Sequence, residues 1–199
     1  MPSLLIETTL LVIISLTVYF FEPLSGDWLA YYHTGIKQFE FWRLITATFC
    51  HTNINHLAMN LLGLMVILGL FLDTFKKTSL MPLTIFSSVF IGLSLFILEP
   101  DVIWYVGFSG VLHSLFSYGV ASELYQKSKW GVGLAIGLMG KIGYEQFFGA
   151  QQSTIDLIGA PVLVNAHLYG VIAGVIFYSV VLLKQKKNIT IKAEKYGHD

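Results

Sequence analysis

The sequence is short of charge. Only 12% of its 199 residues are Asp, Glu, Lys or Arg, against about 25% in an ordinary soluble domain. That deficit excludes a disordered chain, a basic nucleic-acid-binding arm and most soluble folds. Net charge is lacking too. Twelve basic and twelve acidic residues cancel, so the total selects no polyanionic or polycationic partner. One cysteine, Cys50, rules out an intrachain disulfide framework and a cysteine-based metal cluster. The chain also lacks a long repeat, a low-complexity tract and a domain linker.

Apolar sequence is what remains. Charge-free runs cover Thr8–Phe21, Leu44–Leu72, Thr78–Leu98, Val102–Ser122, Trp130–Gly140 and Leu157–Leu183. Crossing the hydrocarbon takes about 20 mostly apolar residues. Four runs reach that alone. The first extends back to Leu4 across Glu7, and the fifth onward to Phe148 with Lys141 and Glu145 inside. The reading is an all-α membrane protein of six spans, at 4–21, 53–72, 80–98, 109–125, 130–148 and 167–184. Residues 1–184 form one membrane domain and 185–199 a short basic tail. The first segment has no Lys or Arg before it and no small-residue cleavage site after it, so it reads as a retained span.

The lysines orient the bundle. Lys76, Lys77, Lys127, Lys129, Lys184, Lys186, Lys187, Lys192 and Lys195 fall on one side if the spans alternate. The positive-inside rule makes that side cytoplasmic, with both termini. The long connection 22–52 then lies outside. It holds Trp28, Tyr31, Tyr32, Phe39, Phe41 and Trp42, and amphipathic aromatics settle at the membrane–water boundary. A partly inserted element is expected there.

Polar groups in hydrocarbon are costly and call for a partner or a function. The spans contain His56, Asn60, Ser109, His113 and His167, with His51 just before the second. Asn60, Ser109 and His167 precede the cytoplasmic lysines 76, 127 and 184 by 16, 18 and 17 residues. At 1.5 Å per residue they lie roughly 24, 27 and 26 Å above the cytoplasmic ends, in one layer. His56 and Asn60 are i and i+4, on one side of their helix. Ser109 and His113 repeat that spacing. Gly107-Phe108-Ser109-Gly110 suits a tight turn into a helix, though a serine there is more commonly an N-cap. Gly170 and Gly174 form a small face that admits a close neighbour, with His167 near it. A close fourth–sixth helix pair would bring Ser109 to His167.

That pairing has a chemistry. A serine hydroxyl needs a base to become a nucleophile, and neutral histidine is the usual one. The oxyanion then needs preorganised donors. His56, Asn60 and the Ser109 N–H suit the task. No intramembrane carboxylate is available as a third member of a triad; Asp156 is the nearest candidate and reads better as a loop acid. Lys141 and Glu145, at i and i+4, read as a structural ion pair. The glycines at 131, 133, 137, 140 and 143 read as packing positions, and Cys50 as a small apolar filler.

Trp42-Arg43, His56-x-x-x-Asn60, Gly107-Phe108-Ser109-Gly110 and Ala166-His167-x-x-Gly170-x-x-x-Gly174 together resemble the rhomboid intramembrane serine proteases, in their six-helix bacterial form. The resemblance covers about residues 40–180. It implies a catalytic dyad without an acid, Ser109 as nucleophile and His167 as general base. His56, Asn60 and the Ser109 N–H would form the oxyanion hole, with Gly107 shaping its turn, and Trp42 and Arg43 would hold the first loop at the membrane surface. Typical rhomboids carry a tyrosine four residues after the serine, stacked on the histidine. This chain has His113 there, where it would orient His167 or be satisfied by water. His113, the compact length and Lys141 with Glu145 resemble the rhombosortase branch. That branch implies membrane-anchored substrates with a C-terminal Gly-Gly motif, a single membrane helix and a basic end. It also implies a bacterial inner membrane and a site opening to the periplasm.

No cofactor is expected and no metal or nucleic acid is assigned. The rivals are a general rhomboid protease, a non-catalytic relative that only binds membrane helices, and an intramembrane metal site on His51, His56, His113 and His167. The first loop and segment 149–166, with Gly149, Gly159 and Pro161, are the expected gates.

Overall fold

A computed structural model describes the backbone of residues 2–196 and the side chains of residues 3–188. Six long helices carry the fold: α1 Pro2–Phe20, α2 Ile54–Leu70, α3 Leu80–Leu98, α4 Ser109–Tyr125, α5 Lys129–Phe148 and α6 Val164–Tyr196. Local chemistry sets their ends. The Asn53 side chain caps α2 by accepting from the His56 N–H at 2.9 Å. Ser128 caps α5 in the same way at Gly131. Gly149 follows α5 with φ of 76°, a conformation that costs glycine nothing.

The cap of α3 comes from elsewhere. The Glu7 carboxylate of α1 accepts from Ser79 Oγ at 2.9 Å, from the Met81 N–H at 3.0 Å and from the Leu80 N–H. It thus covers the positive end of α3. The charge that interrupts the first apolar run therefore has a structural partner.

α4 is the hub, packed against α6, α5, α3 and α2. Gly110, Val111, Leu112, Ser114, Leu115, Ser117, Tyr118, Gly119 and Val120 are buried along it. The α4–α6 contact is the closest. A Cβ on Gly170 would lie 2.1 Å from Gly110 O, and one on Gly174 would lie 2.1 Å from Ser117 Oγ. Only glycine permits that approach.

α1, α3 and α6 are long and apolar enough to cross a membrane; α2 joins them if the bent pair Arg43–Phe49 and Ile54–Leu70, at 94°, counts as one span. α4 and α5 fall short on length or composition. They are the helices that carry Ser109, His113, Lys141 and Glu145. Large apolar side chains face outward on α1 and α5, among them Leu5, Phe20, Ile136 and Phe147.

The fold is predominantly helical, as expected, with one addition: Tyr31–Tyr32 (β1) pairs antiparallel with Trp104–Tyr105 (β2). That two-residue ladder ties the first loop to the segment leading into α4. The last helix runs past its expected end at 184, because α6 continues unbroken to Tyr196 through most of the basic segment; residues 197–199, with His198, lie outside the described residues. Of the α5 glycines only Gly131 packs, against Glu123 and Leu124; Gly133, Gly137, Gly140 and Gly143 face open space.

The first loop folds into short helices at Leu24–Leu29, His33–Lys37 and Arg43–Thr46. Arg43 holds it together. Its guanidinium donates to Ala30 O at 2.7 Å and Asp27 O at 3.0 Å, and pairs with Glu40. Trp42 Nε1 donates to Trp28 O at 3.0 Å. Trp28, Phe39, Phe41 and Trp42 are exposed, while Tyr31 is fully buried.

Candidate active site

Ser109 opens α4, where the first backbone N–H groups of a helix have no intrahelical partner. The turn before it is fixed twice. Tyr105 OH donates to Gly107 O at 3.1 Å, and the Gly107 N–H donates to Ala47 O at 3.1 Å. Gly107 has φ of +119°, and a Cβ there would lie 2.8 Å from His56 Nε2. The glycine thus leaves the space beside His56 and Asn60 open. Asn60 is buried, and its Nδ2 has no hydrogen-bond partner. An unpaired buried donor is costly, which suits a group whose acceptor arrives with the reaction.

His167, buried in the first turns of α6, has both nitrogens engaged. Nε2 lies 3.0 Å from Ser109 Oγ, and Nδ1 lies 3.0 Å from Glu145 Oε2. The acid-free reading is corrected here: a carboxylate does reach the histidine, and it is Glu145. Asp156 instead accepts from Gln152 Nε2 at 2.7 Å. The expected Lys141–Glu145 pair does form, at 2.6 Å. It uses Oε1 and leaves Oε2 for His167. Two oxygens on one carboxylate allow both roles. The signal in the sequence was a lone carboxylate inside an apolar segment.

His113 lies flat against His167, with ring centroids 4.1 Å apart and planes 15° from parallel. Its Nδ1 is 2.7 Å from Ser109 O, so a backbone carbonyl satisfies that nitrogen. Glu145, His113 and His167 place three possible metal-ligating atoms within 4.8 Å of one another. Both nitrogens of His167 and one of His113 are already hydrogen-bonded, however. Stacked rings also send their in-plane lone pairs side by side rather than to one point.

Two cavities meet at Ser109 and His56. One, about 270 Å³, runs between Asp101–Val106 and Ile158–Leu163. The other, about 500 Å³, is lined by Asn60, His113, Lys141, Glu145, Gln151 and His167 among others. Segment 149–166 covers them. Its short helix Gln152–Ile158 ends at Gly159, which has φ of +68°. It is latched to the start of α2: Thr52 Oγ1 donates to Ile158 O at 2.6 Å, and Asn53 Nδ2 to Leu157 O at 3.1 Å. Thr52 Oγ1 is also 3.1 Å from His56 Nδ1. Thr52 and Tyr105 carry no motif, and sequence reading did not find them.

His51 lines neither of these two cavities; its Nδ1 is on Phe49 O at 3.0 Å and its ring packs edge-on to His56. Cys50 is buried, which pushes its thiol up to about 12, in keeping with an inert filler. Glu99 accepts from Asn165 Nδ2 at 2.6 Å and Tyr169 OH at 2.7 Å. It anchors α6 on either side of His167 to the end of α3.

The Rhomboid domain family model matches residues 38–185. The chain is 29% identical over 178 residues to Rhomboid-like protein 11, chloroplastic, of Arabidopsis thaliana, covering 83% of this chain and 62% of that protein. It is 25% identical over 174 residues to Rhomboid protease GlpG of Yersinia pseudotuberculosis, covering 85% of this chain and 60% of that protein. It thus spans less than two thirds of the length of these relatives. With three quarters of its length inside the family's domain, the chain belongs to the rhomboid family.

Proposed function

We propose that the protein is an intramembrane serine endopeptidase of the rhombosortase type, with Ser109 as nucleophile and His167 as general base. The observation that carries it is the 3.0 Å contact between His167 Nε2 and Ser109 Oγ beside an unpartnered Asn60 amide. Ser109 Oγ attacks the scissile carbonyl carbon while its proton passes to His167 Nε2. The carbonyl π pair moves to oxygen, where Asn60 Nδ2, the Ser109 N–H and His56 receive it. Collapse breaks the C–N bond, and His167 returns the proton to the leaving amine. Water, or another amine, then releases the acyl group from Ser109.

In this reading all six long helices span the inner membrane of a bacterium, with both termini cytoplasmic. The cavities open to the periplasmic side. The substrate is an exported protein with a C-terminal Gly-Gly, membrane helix and basic end. The second reading, a general rhomboid protease for other single-span proteins, is supported by the similarity to proteins named rhomboid protease GlpG. Co-expression with substrates of both kinds separates them. Cleavage only of the Gly-Gly substrate, lost in Ser109→Ala and His167→Ala, is the expected result. Equal cutting of both substrates favours the general protease. Binding without cutting makes the protein a helix-binding relative, and chelator-sensitive cutting that survives Ser109→Ala makes it a metalloenzyme.

A further inference from the structure

Glu145 is the one carboxylate of α5, and its two oxygens meet two different bases. We propose that Glu145 is the positioning residue of the site, holding His167 with its proton on Nδ1 and Nε2 free, while Lys141 sets how much of the carboxylate charge His167 feels. This rests on reading Ser109 and His167 as nucleophile and base.

The geometry carries the argument. A histidine that accepts the serine proton at Nε2 must keep its own proton on Nδ1. An ionised carboxylate only accepts hydrogen bonds, so Glu145 Oε2, 3.0 Å from Nδ1, selects that tautomer. The Glu145 side chain is only 13% exposed. When the Ser109 proton arrives at Nε2, the ring becomes a cation among apolar helices, where an unpaired charge is expensive. The adjacent carboxylate offsets it through little water. Glu145 takes no proton: the serine proton goes to Nε2 and then to the leaving amine.

Lys141 has a separate part. Its Nζ lies 2.6 Å from Glu145 Oε1, and its side chain is 49% exposed. It neutralises the carboxylate from the cavity side while staying half-exposed. Lysine preceding glutamate by four is the weaker order for supporting a helix, so helix stability gives this pair little reason to exist. The other groups against His167 are His113 and Ser109 of α4 and His56 of α2. Glu99, just past the end of α3, is held by Asn165 and Tyr169 on either side of His167. With neutral histidines, Glu145 and Lys141 carry the formal charges in this ring, one of each sign.

The test uses the full chain in detergent micelles and the labelling rate of Ser109 by a fluorescent fluorophosphonate, followed across pH. In Glu145→Gln the rate at neutral pH falls about 100-fold, at the lower end of what acid–base positioning contributes. An amide can also donate to Nδ1 and select the wrong tautomer. The acid limb of the profile moves to lower pH, because the charge that favours the protonated ring is gone. Lys141→Met, which keeps the carboxylate, moves the limb the opposite way and covers the case in which Glu145→Gln does not fold. A purely structural Glu145 would slow labelling and leave the limb in place. An unmoved limb in the variants, or a shift of both in one direction, overturns the inference while Ser109- and His167-dependent labelling keeps the protease reading. Wild-type labelling that is absent, or that survives Ser109→Ala, overturns both.

Discussion

The His113 ring is stacked on that of His167, 4.1 Å between centroids. The stack limits the tilt of the His167 ring, and the second ring is tied to Ser109 O. His113→Ala should lower kcat about tenfold, since an aromatic pair is worth roughly 0.5–1.5 kcal/mol beyond its buried area. His113→Tyr restores the stack and should recover most of the rate. Steady-state cleavage with a fixed substrate reads both, and an unaffected Ala variant removes the orienting role.

Asn60 should show activity and stability moving apart. Its buried Nδ2 has no partner in the resting protein, so Asn60→Leu removes an unsatisfied donor while filling a similar volume. Unfolding in mixed micelles should show stability unchanged or raised by about 1 kcal/mol. Cleavage should fall by about 10²–10³ in kcat. A loss of stability as large as the loss of activity would make Asn60 a packing residue.

The two glycine faces should respond oppositely. Gly170→Ala drives a Cβ into Gly110 O and should cost about 1–3 kcal/mol. Gly137→Ala meets nothing within 4 Å and should be neutral or stabilising by up to about 1 kcal/mol through helix propensity. Equilibrium unfolding of the two variants side by side checks the pair.

The cover over the cavities should loosen at its latch. Thr52→Val removes the hydrogen bond to Ile158 O, worth about 0.5–1.5 kcal/mol. Amide hydrogen exchange in residues 152–158 should accelerate about two- to tenfold, with α3 unchanged. Uniform acceleration through the whole bundle would argue for general destabilisation.

Glu7 offers a stability test far from the site. Glu7→Gln weakens the cap on Leu80 and Met81 and should cost about 0.5–2 kcal/mol. Cleavage per folded molecule should stay at the wild-type level.

The helices were legible because apolar runs and stray polar residues are local signals. His56 with Asn60, and Ser109 with His113, declare their faces by spacing alone. Contacts were less legible. Glu145 was visible as a partner of Lys141, but the sequence does not say where the second carboxylate oxygen goes. Glycines that pack, as at 170 and 174, look the same in sequence as those at 133 and 137 that do not. The end of α6 was misplaced because hydropathy marks where a span stops, and Lys and Gln continue a helix well. The β1–β2 pairing, at two residues each, is too short to leave a period.

Thr52 carries one hydroxyl proton, and Ile158 O takes it. A neutral His56 then meets Thr52 only as a donor through Nδ1–H, which leaves Nε2 bare. On the proposed reading of His56 as an oxyanion-hole donor, that tautomer would face the oxyanion with a lone pair. In the proposed mechanism, lifting the cap would free the threonine proton for Nδ1 and let the imidazole proton move to Nε2, where it can be donated. On that reading, admitting the substrate and arming the oxyanion hole would be one event, passed along by a single hydrogen atom.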